Sequence, residues 1–502
     1  MHRVRPLQIL LGAILLLAFG SCATPTLAKQ PNIVWIIVED MSANFGCYGE
    51  TSIQTPNVDQ LASEGVKFTN AIVTAPVCST CRSAFITGMY QTSIGSHHHR
   101  SGRGKLKITL PADVVPVPKL FRDAGYHVNN LSTELFLLSA DEAKSTRIKT
   151  AKTDYNFEFD KSIYHATHWS NRDDDQPFFC QIQPRGGKLR GKGDADKWPT
   201  RARKVLGSNT PTTSVKLPPY LPNHPVIVED WRQYLDAVRY TDWEVGQILQ
   251  RLEESGDLQN TYVFFITDHG ISHVRNKQFM YEGGVHIPFV VRGPGLQPST
   301  RTDVIEHIDL GATSLALAGL EIPPVMQSRD ILASDYQPRE FAFSARDRCD
   351  ETVDRMRCVR SERFKYIRNF LPERPYLQPN RYKDNKPIVK TMRQLFADGQ
   401  LNPAQARIMA ASRPEEELYD LHADPFELNN LAGQPEFAEV QNSMRTALAD
   451  WIKHTGDRGM QAEGAMYDSD MQAYFKGDTT SPMGRQLMAN IALMKQWAAD
   501  GK

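Results

Sequence analysis

Two stretches of the chain are apolar at nearly every position: Asn32–Val38 reads Asn-Ile-Val-Trp-Ile-Ile-Val and Thr261–Thr267 reads Thr-Tyr-Val-Phe-Phe-Ile-Thr. A half-exposed strand alternates polar and apolar side chains, so an unbroken run predicts a strand covered on both faces, as in a parallel sheet under helices. Shorter runs at Phe178-Phe179 and Pro288-Phe289-Val290-Val291 predict further strands. Helical spacing fills the intervals. Residues 58–65 end on the stop signal Gly65, residues 132–149 read as helix, and 231–252 carry Leu235, Val238, Val245, Ile248 and Leu249 along one stripe. Strands alternating with helices predict an α/β fold, a large mostly parallel sheet sandwiched by helices.

Beyond about Ser344 the pattern changes. Residues 356–359 and 364–367 predict short antiparallel strands, 391–412 a polar helical stretch, and 437–454 an amphipathic helix. The expected division is therefore 29–345 for the large domain, 346–460 for a smaller C-terminal α+β subdomain with an antiparallel sheet, and 461–502 for a helical tail. At the other end Arg3 and Arg5 precede an apolar run over 7–19 and then small residues, the layout of a secretory signal over 1–28. Cleavage after Ala28 would give a periplasmic or extracellular protein with no integral membrane segment. A lipid on Cys22 would tether it instead.

Charge narrows the partners. The 502 residues hold 58 basic and 58 acidic side chains, so broad nucleic-acid binding is not expected, while a local cationic pocket remains open. Seven cysteines are too few for a disulfide scaffold; Cys349 and Cys358 could bridge or could remain thiols.

The candidate chemistry lies where the two buried strands end. One continues into Glu39-Asp40 and the other into Asp268-His269-Gly270. Carboxyl ends of parallel strands gather on one edge, where ligands bind, and two acidic pairs delivered there can share a hard cation. Each pair alone is more often a solvated turn. A third element is the run Ala75-Pro76-Val77-Cys78-Ser79-Thr80-Cys81-Arg82-Ser83-Ala84-Phe85-Ile86-Thr87-Gly88. Pro76 stops what precedes it and 82–89 reads as helix, so Cys78 falls near a helix N-terminus, which favours an anion.

That run resembles the signature of type I sulfatases, alkaline-phosphatase-like hydrolases in which such a cysteine is oxidised to formylglycine. The Cys78-to-Arg82 spacing and the Phe85-Ile86-Thr87-Gly88 ending fit, while Thr80 replaces the usual Pro or Ala and Cys81 the common Ser. Glu417-Leu418-Tyr419-Asp420-Leu421 with Asp424-Pro425 resembles the family's C-terminal subdomain, closest to the heparan N-sulfatase-like branch. The resemblance implies a divalent metal, most often Ca2+, held by Glu39, Asp40, residue 78, Asp268 and His269. It implies that a maturating enzyme makes the formylglycine, and that Arg82, Lys152 and Lys277 grip the sulfate, with Lys149 as rival to Lys152. The second lysine follows the Gly125-Tyr126-His127-Val128 turn, with Asp154 where a His is usual. Arg185 stands near the place of another family His and could bind sulfate without donating a proton. The acid then falls to His224, His273, His97, His98 or His99, with His273 also expected at the substrate.

In the implied reaction the hydrated aldehyde attacks sulfur, releases alcohol or amine, and then expels sulfate. The implied substrate is a sulfated carbohydrate. Two alternatives stand beside this reading: a phosphoester or phosphonate hydrolase of the same superfamily, and a non-catalytic sulfoglycan-binding homologue.

Overall fold

The computed structural model describes residues 1–2, 29–189, 197–272 and 274–502. The expected leader with Cys22, and His273, lie outside the described residues. Strands β1 (Asn32–Val38), β2 (Val66–Ile72), β3 (His127–Leu131), β4 (Phe178–Ile182), β5 (Thr261–Thr267), β6 (His286–Arg292) and β7 (Ser299–Glu306) form one sheet. Its order is β3-β4-β1-β5-β6-β2-β7. All pairings are parallel except those of β6, which runs against β5 and β2. Pro288 in β6 has no N–H to give the ladder, and β2 bulges opposite it between Phe68 and Ala71.

A second, antiparallel sheet has the order β11-β10-β9-β8. It comprises β8 (Ala342–Arg346), β9 (Met356–Arg360), β10 (Phe364–Asn369) and β11 (Glu416–Asp420). The architecture is the α/β sheet plus smaller antiparallel sheet read from the pattern, although the expected 345/346 division cuts through β8, which pairs with β9 in the second sheet.

Several helices differ from expectation for local reasons. The stretch 132–149 is two short helices, Thr133–Phe136 and Ala140–Ser145, because Ser132 and Ser139 each cap a new start, their hydroxyls accepting from Leu135 and Glu142 N–H. The stretch 391–412 breaks into Pro387–Ala397 and Pro403–Ala406. Gly399, at φ 66°, leaves the first helix, and Asn402 with Pro403 begins the second. Cys349 and Cys358 are free thiols. Cys358 sits on β9 opposite Ser344, whereas Cys349 lies beyond the end of β8, so no bridge forms. No helix among the described residues is long and apolar enough to cross a membrane.

The helix Cys78–Thr87 is buried along its whole length. Three of its hydroxyls donate locally: Thr80 to the Val77 carbonyl, Ser83 to Ser79 and Thr87 to Ser83. Phe85 packs edge-on to Trp35 of β1 at 6.2 Å, and Phe179 of β4 meets the same indole at 4.8 Å. Trp35 Nε1 donates to Ser314 Oγ at 2.8 Å. One indole thus ties the central strand to the helix that starts at Cys78.

Trp35→Ala should lower the apparent unfolding free energy by about 3–5 kcal/mol, through the cavity and the unpartnered Ser314 hydroxyl. Trp35→Phe should cost less, because it keeps part of the ring packing. Urea titration followed by circular dichroism reads both, and an unchanged midpoint for Trp35→Ala would refute this role.

Candidate functional site

Strands β1 and β5 are paired in register up to Val38 and Thr267, so the residues following each emerge side by side. The Asp268 N–H donates to the Val38 carbonyl at 2.8 Å, and the Asp40 N–H to Asp268 Oδ1 at 3.0 Å. Asp40 is held in the left-handed region, at φ 51°, a conformation costly for a non-glycine residue. The ligand atoms of Asp40, Cys78, Asp268 and His269 lie within 4.8 Å of one another, and all four residues are buried. Asp40 Oδ2 is buried without a hydrogen-bond partner. Two carboxylates, an imidazole and residue 78 around an unsatisfied carboxylate oxygen are a donor set that fits a divalent cation.

Glu39 was expected in this set and is not part of it. Asp40, in the left-handed conformation past the end of β1, turns its carboxylate toward Cys78, while that of Glu39 lies outside the group. The Glu39 carboxylate instead meets Lys152 at 3.0 Å, Arg82 at 3.2 Å and Lys188. Burial works against its ionisation, but Lys152, Arg82 and Lys188 together hold its pKa below the ordinary value.

Arg82 also departs from expectation. Its guanidinium is buried behind the carboxylates, bonded to Glu39, to Asp268 Oδ2 at 3.1 Å and to Gln183 Oε1 at 2.8 Å. It orients the acids and does not line the cavity.

Cys78 is the first residue of its helix, with Val77 extended before it. Its sulfur lies 3.0 Å from Lys277 Nζ, 3.3 Å from His269 Nε2 and 3.7 Å from Asp40 Oδ1. Burial alone would raise the thiol pKa, but Lys152, Lys188 and Lys277 draw it down to about 6. Asp40, likewise opposed by burial, is kept well below the usual carboxylate range by Lys277, Lys188 and His269. Lys277 reaches the site from a loop pinned at both ends of its peptide: its N–H donates to the Ile271 carbonyl, and its carbonyl accepts from Lys383 Nζ at 2.7 Å. Lys152 lines the same cavity, whereas Lys149 is exposed.

The cavity above Cys78 has a volume of about 490 Å³. Its cationic side chains are Arg100, Arg103, Lys152, Lys188 and Lys277, with His99, Asp154, Asp350 and Tyr382 between them. Arg185, the residue expected to bind substrate, is exposed in a neighbouring cleft, and Lys188 takes that place. The sequence signal for Lys188 was Gly186-Gly187. A side chain at either glycine would collide with the carbonyl of Glu39 or Asp40, so the pair lets the backbone pass close behind the acids and swing Lys188 inward.

Of the histidines, His99 alone among those considered and described lines the cavity. Its Nδ1 is 2.9 Å from Ser79 Oγ, and its Nε2 is 3.6 Å from Asp350 Oδ1, a buried atom with no hydrogen-bond partner. His224 caps the long helix Pro225–Glu254, and His98 accepts from Arg348 N–H. Asp350, Tyr382 and Arg100 carry no local signal, because only long-range packing brings them here.

The profile of the sulfatase family matches residues 31–320, and that of the N-sulphoglucosamine sulphohydrolase C-terminal region matches 269–411. An ulvan-active sulfatase of Formosa agariphila is 32% identical over 499 residues, covering 91% of this chain and 80% of that protein. Human N-sulphoglucosamine sulphohydrolase is 23% identical, covering 88% and 93%. Among solved structures, one from the glycosaminoglycan-metabolism locus of Bacteroides thetaiotaomicron superposes with a TM-score of 0.61 at 20% identity, over 86% of this chain and 97% of that one. With more than half its length matched by the family profile and a relative above 30% identity along nearly all of it, this chain belongs to the type I sulfatases of the alkaline-phosphatase-like superfamily and is a hydrolase of sulfate esters or sulfamates.

Proposed function

We propose that this sulfatase is exported and removes sulfate from a sulfated polysaccharide, using formylglycine at residue 78 and a divalent cation held by Asp40, Asp268 and His269. The observation that carries the reading is the ring of Lys152, Lys188, Lys277, Arg100 and Arg103 around Cys78. A cavity lined by five cationic side chains suits an anionic substrate. The names of the relatives, ulvan-active sulfatase and N-sulphoglucosamine sulphohydrolase, support a glycan. The basic and apolar leader supports export.

Formylglycine would supply the nucleophilic oxygen, at the position where Cys78 Sγ now lies. A bound cation, calcium by the resemblance to the family, would supply Lewis acidity. The remaining work belongs to the chain. Lys277, 3.0 Å from residue 78, holds the attacking atom and shares the charge of the sulfate. Lys152 and Lys188 neutralise the other sulfate oxygens while keeping Glu39 compensated. The N-terminus of Cys78–Thr87 adds its dipole beneath the anion.

The leaving oxygen needs a proton, and His99 with Asp350 is its source. Burial disfavours the charged form of each, lowering the histidine pKa and raising that of the carboxyl, so one shared proton suits the pair.

The reading is tested first by mass spectrometry of the peptide carrying residue 78 from the native host. Aldehyde in place of thiol is expected, and matured protein should cleave sulfated saccharides orders of magnitude faster than phosphodiesters. An unmodified thiol, or faster phosphodiester cleavage, would overturn it.

The cation is tested by chelation. Removing it should abolish turnover and lower the melting temperature, and calcium at a hundredfold excess over its dissociation constant should restore about 2.7 kcal/mol. Asp40→Ala should lose both responses together; keeping either would break up the proposed ligand set.

The acid is tested by leaving group. His99→Gln should slow release of a sugar alcohol by about 10²-fold or more, yet barely affect 4-nitrophenyl sulfate, whose phenolate departs unaided. Equal losses on both substrates would mean that His99 serves only structure.

A further inference from the structure

The tail of the chain lies outside both family matches, which end at residues 320 and 411. Its helix Ala465–Phe475 is nevertheless docked against the loop that lines the sulfate cavity. Asp470 Oδ1 accepts from the N–H groups of Arg103 and Gly104 at 3.0 and 3.1 Å, and Ser469 Oγ from Leu106 N–H at 3.1 Å. A side chain at Gly104 would collide with the Ser469 carbonyl, so the contact depends on that glycine. Arg348, fully buried, binds Asp470 Oδ2 at 2.9 Å and the His99 carbonyl at 3.3 Å, joining tail and loop.

A second cavity of about 430 Å³ opens at this junction. It shares Arg100, Arg103 and Asp350 with the sulfate cavity and adds Met471, Tyr474 and Lys476 from the tail. Both volumes are in the range of about 300–1,000 Å³ that small-molecule sites occupy. The charges are uneven. Asp350 is matched by Arg100 at 3.3 Å and Asp470 by Arg348. Lys476 has no carboxylate within ion-pair distance among the described residues, and it is held exposed at the cavity rim by its left-handed backbone, φ 50°. The Tyr474 ring lies 5.4 Å from the Arg100 guanidinium and 4.6 Å from that of Arg381, which fixes Arg100 on the shared wall.

We propose that the helix Ala465–Phe475 and Lys476 build a second subsite beside the sulfate cavity, which takes an anionic sugar adjoining the sulfated one. The inference rests on the sulfated-glycan reading and narrows it to oligomers that carry a further carboxylate or sulfate. Arg100 and Arg103 face both cavities, so the neighbouring anion and the scissile sulfate are read by one loop. The tail sets where that loop stands.

Binding is measured in a Cys78→Ala background, in which turnover is blocked, and hydrolysis in the matured wild type. The probes are three sulfated disaccharides whose second sugar is a uronate, a sulfated sugar or a neutral sugar. Calorimetry should give a dissociation constant about three- to tenfold weaker for an anionic-neighbour disaccharide after Lys476→Gln, and weaker still after Lys476→Glu. The neutral-neighbour disaccharide should shift little with either. The anion whose affinity responds identifies which sugar the subsite takes. Equal shifts for all three probes, or none, would overturn the subsite, and Lys476 is exposed enough for both variants to fold. Failure of the matured wild type to hydrolyse any of the three would instead count against the reading beneath it, whatever the calorimetry gives.

Discussion

Burying ionised groups away from water is costly unless each finds its counter-charge, and this molecule buries an unusual density of them at one edge of its sheet. Asp40 lies against Lys277, Asp268 against Arg82, and Glu39 against Arg82, Lys152 and Lys188. None of these is an isolated pair. Each lysine neutralises an acid and also faces the cavity, so the network that makes the acids tolerable is the one that makes the cavity cationic. Removing one member of such a buried pair costs about 3–5 kcal/mol, which couples the fold to the chemistry at this edge.

That coupling requires the backbone to bring the groups within a few ångströms, and several residues are strained to do so. Asp40, Arg100, Gln278 and Asp350 all have positive φ without being glycine. Each is in the cavity wall or directly beneath it. Hydrogen bonds hold them in place: the Arg100 N–H donates to Ser79 Oγ, and the Gln278 N–H donates to the Pro76 carbonyl. The first contact is to the buried helix Cys78–Thr87 and the second to the residue two before it, and Trp35 and Phe85 lock that helix to β1. Strain at the rim is sustained by close packing below it.

The second sheet and the tail complete the site from the other side. Asp350 follows β8, Tyr382 and Lys383 follow β10, and Lys383 holds the Lys277 carbonyl. Arg348 then ties this subdomain to the tail through Glu463 and Asp470. The edge built by the large sheet is thereby enclosed by elements that arrive more than two hundred residues after Asp40 and Cys78.

The run of apolar residues in Asn32–Val38 and Thr261–Thr267 determined buried neighbouring strands, because unbroken hydrophobicity is incompatible with an exposed face. With the strands came the placement of Asp40, Asp268 and His269, since parallel strand ends share an edge. Cys78 before a helical run was legible as short-range pattern, whereas Lys277 was picked out only by the resemblance to the sulfatases. Local pattern could not say which way a side chain turns once its strand has ended: Glu39 and Asp40 look alike in sequence, and only the turn separates a carboxylate paired with lysines and Arg82 from one grouped with Cys78, Asp268 and His269. Nor could it tell Arg185 from Lys188, because the close approach of Gly186-Gly187 to β1 is a tertiary contact. His99, Asp350 and the tail were decided by packing between elements far apart in the chain, where no periodicity operates and only the pairing of buried charges selects the arrangement.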